Sequence, residues 1–82
     1  MHRMINVGYG NLVSFDKIVS VVSVDSAPIK RMVQNAKDNG VAIDATQGRK
    51  TQSVIITNSN YIVLSALLPE TIAGRCEEEV GD

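Results

Sequence analysis

Two short segments, 54–56 and 62–64, are apolar at every position, and they constrain the fold more than any other feature of the sequence. Side chains of a strand point alternately to its two faces, so an unbroken apolar run predicts a strand that is buried on both faces. The polar stretch 58–60 is typical of a hairpin loop, so strands are predicted over 53–57 and 61–67. The sheet built on this hairpin therefore needs apolar cover on both sides.

One amphipathic helix is predicted over 27–39. The apolar residues that recur at helical spacing are Ile29, Met32, Val33 and Ala36. Ser26 is a suitable N-cap, Pro28 fits the first turn, and Gly40 can end the helix in a left-handed conformation. This helix can cover one face of the sheet.

The remaining elements are short. In chain order they are a strand at 4–7, a turn at 8–11, β-rich segments at 12–15 and 18–22, a strand at 41–45, a basic turn at 46–50 and a second helix at 69–76. The turn at 8–11 is predicted because its two glycines and its Asn tolerate positive φ. This order predicts a small α+β domain with a twisted, mostly antiparallel sheet.

The second apolar face of the sheet favours self-association. One amphipathic helix and one short helix cover a single face, and a chain of 82 residues has a thin margin of stability on its own. A second copy of the chain is the simplest cover for the other face. The alternative is that the loops and the N-terminal strands fold over it. We expect a homo-oligomer.

Charge is distributed unevenly along the chain. Residues 1–75 hold all eight basic residues and five of the nine acids, a formal charge of +3, whereas the other four acids lie in the last six residues. We expect 77–82 to be a solvated acidic tail that follows a single domain, 4–76. Residues 1–3 are predicted to be an expression tag or an alternative start, because Met4 opens the first strand.

Several functional classes are disfavoured by the composition. No apolar run reaches the roughly 18 to 20 residues that a membrane span requires, so we expect a cytoplasmic protein with no membrane partner. The single cysteine and the single histidine, Cys76 and His2, lie near opposite ends of the chain, which leaves no catalytic or metal-binding constellation. The stretch 48–51, GRKT, lacks the first glycine of a phosphate-binding loop and precedes a strand. We expect no enzyme activity, no cofactor, no metal and no small-molecule substrate.

Cations are the strongest candidates for a binding surface. Arg49 and Lys50 share the basic turn. Lys17 is predicted to approach that turn if the N-terminal strands fold back. Lys30 and Arg31, on the outer helix face, are candidate secondary contacts. Lys and Arg bind phosphates, and Arg also binds guanine edges and narrow minor grooves. Three scattered aromatic residues make a poor stacking platform for single strands, so duplex DNA is the favoured partner. The alternative is a non-catalytic protein-interaction scaffold.

Several blocks of the sequence resemble one family. They are 5–11 (INVGYGN), 23–32 (SVDSAPIKRM), 43–46 (IDAT) with the following Gly48-Arg49, and 64–65 (LS) with 69–71 (PET). In this order and spacing, from about Met4 to Arg75, they are similar to the RemA family of bacterial extracellular matrix regulatory proteins.

The resemblance implies a DNA-binding transcription activator of biofilm matrix genes, with a fold similar to LytTR-type DNA-binding domains and ring-like homo-oligomers. In that family DNA binding relies on Arg residues at three positions, which correspond here to Lys17, Arg49 and Lys50. Two of the three are Lys, which keeps the charge but lacks the planar fork of Arg. Arg49 is therefore the residue expected to contribute most.

Overall fold

The computed structural model describes residues 3–80 of the chain, and their side chains as far as Glu78. Residues 1 and 2 of the predicted tag or alternative start, and residues 81 and 82 of the predicted acidic tail, lie outside this part. The elements are β1 (Met4–Asn6), β2 (Leu12–Ser14), β3 (Ile18–Ser23), α1 (Ala27–Asp38), β4 (Ala42–Asp44), β5 (Ser53–Thr57), β6 (Ile62–Ser65) and α2 (Pro69–Val80). The predicted α+β class with two helices is confirmed.

The strands form two sheets instead of the single sheet predicted. Strands β1 and β2 pair as an antiparallel hairpin, and the other four strands have the order β3-β5-β6-β4. A single 3-10 turn, Phe15–Lys17, separates β2 from β3, so the hairpin becomes a layer of its own. Strand β4 pairs parallel to β6, with Ala42 opposite Ile62, while the other pairings are antiparallel. The mostly antiparallel character is confirmed.

Helix α1 covers one face of the four-stranded sheet. Its buried residues Val33 and Ala36 pack with Val54, Ile62 and Leu64, which are alternate side chains of the central hairpin. The cap predicted from sequence is present, because the Ser26 hydroxyl accepts a hydrogen bond from the backbone N–H of Ile29 at 3.3 Å. The helix ends at Asp38, one residue before the predicted end, and Gly40 follows with a φ of 72°.

The opposite face of the sheet is covered by the N-terminal hairpin and α2. Ile55 and Val63 pack there against Ile5 and Val7 of the hairpin region and Ile72 of α2. All five side chains are buried. The prediction that this face lacks cover within one chain is therefore wrong, because the N-terminal strands cross over the sheet instead of extending it.

Helix α2 continues to Val80, four residues past the predicted end at 76. Fully buried Ile72 and half-buried Cys76 lie one turn apart and join the same core cluster, which fixes the start of the helix on the sheet. No glycine or proline follows until residue 81, and Glu is a good helix former. The residues predicted as the first part of an acidic tail are therefore helical.

Strand β6 stops at Ser65, two residues before the predicted end. The buried Ser65 hydroxyl accepts a hydrogen bond from the backbone N–H of Leu67 at 3.0 Å and donates to the carbonyl of Val7 at 2.8 Å. Ser53 donates its hydroxyl to the carbonyl of Leu67 at 2.9 Å. These bonds direct the chain out of the sheet. They also connect the N-terminal hairpin region to the end of the sheet at which the basic turn lies.

Candidate nucleic-acid interface

The basic turn, residues 46–50, begins two residues after the end of β4 and presents Arg49 and Lys50 to solvent. Asp44 braces the turn from inside, since its Oδ1 accepts hydrogen bonds from the backbone N–H of Thr46 at 2.9 Å and from the Thr46 hydroxyl at 2.5 Å. Thr46 is buried, and its carbonyl accepts a hydrogen bond from the backbone N–H of Arg49 at 3.0 Å. The cations therefore sit on a fixed frame.

The Asp44 carboxyl is held in its charged form. The hydrogen bond from the Thr46 hydroxyl lowers its pKa most, followed by the Thr46 backbone N–H and the positive charge of Lys37, while slight desolvation by neighbouring atoms opposes them. Both hydrogen bonds to this carboxylate are consequently charge-assisted, which makes them stronger than bonds between neutral groups. Asp44, which the sequence left without a role, is a structural brace.

The chain reverses direction at Gln47 and Gly48, which have φ values of 54° and 78°. Left-handed backbone costs glycine little and a residue with a Cβ more. The glycine of the basic turn is thus explained by the reversal that brings Arg49 to the surface, and the phosphate-binding-loop pattern is not needed to account for it.

Arg49 lies over the ring of Tyr9, with its guanidinium carbon 5.6 Å from the ring centroid. This distance is within the range of a cation–π contact. The contact joins the basic turn to the N-terminal turn at 8–11, which are far apart in the sequence. Sequence reasoning missed Tyr9, because an aromatic residue between two glycines indicates an exposed turn position but not its partner.

The N-terminal turn is also fixed by hydrogen bonds. Asn11 donates its side-chain amide to the carbonyl of Gly8 at 2.9 Å, and the backbone N–H of Gly8 donates to Oδ1 of Asn6 at 2.7 Å. Positive φ occurs at Gly8, Tyr9 and Gly10. Asn11, which was expected to adopt positive φ, instead holds the turn through its side chain.

A polar cleft separates the two turns. Its lining residues are Asn11, Asp44, Gln47 and Gly48. These residues supply two side-chain amides, one carboxylate and the backbone of the basic turn. Arg49 follows Gly48 in the sequence, and Tyr9 lies two residues before Asn11. The two turns therefore form one continuous polar surface.

Lys17 lies at the other end of the sheet. Its carbonyl accepts a hydrogen bond from the backbone N–H of Asn58, beyond the last residue of β5, whereas the basic turn precedes the first residue, Ser53. The five residues of β5 correspond to four steps of about 3.3 Å, or roughly 13 Å. The predicted approach of Lys17 to the basic turn within one chain is wrong, because the N-terminal strands cross the face of the sheet along its length.

Lys30 and Arg31 are exposed on the N-terminal half of α1. This half begins at the same end of the sheet as the basic turn, since the backbone N–H of Val24 donates to the carbonyl of Gln52 at 3.4 Å. Helix α1 covers the face opposite the N-terminal turn. The two cations therefore lie at the same end of the sheet as the basic turn but on the face opposite the N-terminal turn. Their role as secondary contacts stays a prediction.

A groove runs along β2 between the N-terminal hairpin and the edge of the main sheet, from Asn11 to Lys17. Three of its lining residues, Leu12, Ile43 and Tyr61, are large apolar side chains that are about half exposed. Single exposed apolar residues are common, but three around one groove are typical of a contact surface. We call this set the apolar groove.

Among the side chains described, those of residues 3–78, no group of three or more His, Cys, Asp or Glu residues is placed to hold a metal ion. None of the helices within residues 3–80 is both long enough and apolar enough to cross a membrane.

The family model described as extracellular matrix regulatory protein A-like, RemA-like, matches residues 4–76 of the chain. This range contains both turns and the whole four-stranded sheet. The match confirms the family resemblance predicted from the sequence blocks.

Curated relatives match over nearly the whole chain. Extracellular matrix regulatory protein A of Bacillus subtilis (strain 168) is 50% identical over 82 residues, which is 98% of this chain and 92% of the relative. A protein of Clostridium botulinum (strain Alaska E43 / Type E3), whose name calls it a regulatory protein, is 54% identical with the same coverage. A protein of Desulforudis audaxviator (strain MP104C) with a similar name is 58% identical over 73 residues, 89% of this chain and 77% of the relative. These names support a regulatory role and describe no enzyme.

Proposed function

The chain belongs to the RemA-like family of extracellular matrix regulatory proteins, and from this membership and its basic turn we propose that it is a DNA-binding transcription regulator. Its partner is duplex DNA, which it binds through Arg49 and Lys50, with Lys17 as a further contact. It acts as an activator of biofilm extracellular matrix genes in the cytoplasm. It works without a catalytic site.

One observation carries the DNA-binding proposal. Arg49 and Lys50 are both exposed on a turn whose frame is fixed by Asp44 and Thr46, and neither cation forms an ion pair within the described residues. Cations that neutralise nothing in their own chain are free to neutralise phosphates. A fixed turn also loses less conformational freedom on binding than a mobile one.

The small number of cations in a single subunit favours self-association, because one chain alone would bind DNA weakly. Two cations lie at one end of the sheet and Lys17 lies beyond the other end of β5, so one chain offers few phosphate contacts. Repetition of the same cations around a homo-oligomer multiplies these contacts, as linked binding sites do in general. We therefore propose a homo-oligomer, ring-like as the family resemblance implies, in which the apolar groove contacts a second copy of the chain.

The scaffold alternative draws on the same groove. Leu12, Ile43 and Tyr61 are as suited to contact a different protein as a second copy, and a scaffold needs no DNA. The two functions differ in what the exposed cations do. In a scaffold Arg49 pairs with acidic groups of a protein neighbour, and removal of its charge alters assembly instead of DNA affinity.

The test is titration of a fluorescently labelled A·T-rich duplex, followed by anisotropy over a range of salt concentrations. The wild-type chain should bind with a logarithmic salt slope of about −0.9 for each phosphate neutralised. Arg49→Ala and Lys50→Ala should weaken binding and reduce this slope, because each removes a phosphate-facing cation. Lys37→Ala removes one exposed charge at the C-terminal end of α1 and is the matched control, because Lys37 lies outside the basic turn and lowers the pKa of Asp44 less than either hydrogen bond from Thr46.

The outcomes separate the two functions. Weaker binding by Arg49→Ala, with the oligomer mass unchanged and Lys37→Ala like the wild type, supports the DNA-binding role. Equal and weak binding by wild type and Arg49→Ala contradicts it and favours the scaffold. Loss of the oligomer in Arg49→Ala would show that the basic turn is a subunit interface.

A further inference from the structure

Tyr9 holds an unfavourable backbone conformation on the surface of the protein. Its φ of 56° lies in the left-handed region, which residues with a Cβ rarely adopt. The side chain is 47% exposed, so core packing does not explain why an aromatic residue occupies the position. Neighbouring Gly8 and Gly10 adopt positive φ without this cost. Strained backbone of this kind is concentrated at functional sites, which indicates a functional role for Tyr9.

Within the described residues, the ring of Tyr9 lies against the guanidinium of Arg49. A guanidinium stacked on an aromatic face loses rotational freedom, while the N–H groups along its edge remain available as donors. An Arg side chain otherwise has many rotamers, and fixing one of them opposes binding. The Tyr9 ring thus offers Arg49 a platform that orders it before a ligand arrives.

We propose that Tyr9 is a positioning residue of the DNA-binding surface, and that its ring orders the Arg49 guanidinium for contact with a phosphate or base edge of duplex DNA. The proposal rests on the proposed function and adds a residue to it. Both partners are held by fixed turns, since Asn11 and Asn6 pin the N-terminal turn and Asp44 braces the basic turn. The strained φ places the ring between them.

Two substitutions of Tyr9 separate the ring from the backbone. Tyr9→Phe keeps the aromatic face and should bind the A·T-rich duplex within two-fold of wild type. Tyr9→Asn removes the ring but tolerates left-handed φ better than most residues, so the turn should keep its shape. Tyr9→Asn should lower the affinity about two- to five-fold, because the Arg49 side chain then has to lose its rotational freedom on binding.

The double variant shows whether Tyr9 acts through Arg49. If the ring only orders Arg49, Tyr9→Asn in an Arg49→Ala background should lower affinity no further than Arg49→Ala alone. A merely structural role predicts instead that the two losses add and that the thermal midpoint of Tyr9→Asn falls. The thermal midpoint should remain at or above the wild-type value, because the strained tyrosine has been removed.

Three outcomes overturn the proposal. If Arg49→Ala weakens binding and Tyr9→Asn does not, the Tyr9 role is wrong and the DNA-binding function stands. If the losses add in the double variant, Tyr9 acts independently of Arg49. If the wild-type chain binds no duplex DNA, the proposed function fails and the role of Tyr9 fails with it.

Discussion

Removal of the Thr46 hydroxyl tests whether the basic turn is a braced frame. Thr46→Val keeps the branched shape of a buried side chain and deletes the donor to Oδ1 of Asp44, while the backbone hydrogen bond to the same oxygen remains. An intramolecular hydrogen bond contributes about 0.5–1.5 kcal/mol net, and a charged acceptor raises the figure. Asp44 is exposed, so water can replace the lost donor. We expect Thr46→Val to lower the free energy of unfolding by about 1 kcal/mol.

That loss is measurable in a chain of this size. About 1 kcal/mol lowers the thermal midpoint of a 60–100-residue domain by about 4–8 °C. Circular dichroism at 222 nm gives the midpoint, and urea titration gives the free energy of unfolding independently. The duplex affinity should also fall, by less than in Arg49→Ala, since a loosened turn keeps its cations but holds them less firmly.

The difference between wild type and Thr46→Val should depend on pH in one direction. The folded pKa of Asp44 lies below its unfolded value of about 3.9, so the stability it contributes is present above that value. The contribution is lost as the pH falls through the folded pKa, when the carboxylate takes up a proton. The gap between the two proteins should therefore be constant above about pH 5 and should shrink below about pH 4.

Thr51→Val is the matched control, because the hydroxyl of half-buried Thr51 makes no hydrogen bond to another described residue. It should unfold within about 0.5 kcal/mol of wild type. An effect of Thr51→Val as large as that of Thr46→Val would refute the brace. So would a Thr46→Val difference that persists unchanged at pH 3, because the bond to a charged Asp44 would then not be its cause.

Three further predictions concern the fold and the assembly. Ser26→Ala removes the N-cap bond to Ile29 and should cost about 1 kcal/mol in urea titrations; an unchanged midpoint would contradict the cap. Ile72→Ala empties a fully buried site beneath α2 and should cost about 2–5 kcal/mol, with Ile72→Val at about 1 kcal/mol as its graded control. Ile43→Glu places a charge in the apolar groove and should lower the mass measured by light scattering, while Lys37→Ala should not; an unchanged mass would exclude the groove as a subunit contact.

Local signals predicted most of the fold because they lie within single elements. The cap at Ser26, the helical spacing up to Ala36 and the glycine after the helix placed α1 to within one residue. Strand β5 was predicted with its observed bounds, Ser53–Thr57, since polar residues flank an apolar run. These features depend on neighbours along the chain, so the sequence contains them directly.

Relations between distant segments could not be predicted in the same way. Periodicity showed that the central hairpin needs cover on both faces, but it did not show that the N-terminal strands supply one of the covers. The same placement of these strands carries Lys17 away from the basic turn and brings Tyr9 beside Arg49. One error about packing therefore produced the errors about the position of Lys17 and about the uncovered face of the sheet, whereas the homo-oligomer itself stays a prediction.

The separation of the cations links assembly to DNA binding. Lys17 and the basic turn lie beyond opposite ends of β5, which is roughly 13 Å long, so one subunit presents its cations at separate points. One subunit thus contacts separate phosphates with few charges and carries a formal charge of −1 overall. Lys17 lies at one end of the apolar groove, and a second copy bound in that groove adds its own set of cations to the assembly. Ile43→Glu should therefore weaken DNA binding together with assembly, whereas Arg49→Ala should weaken binding alone.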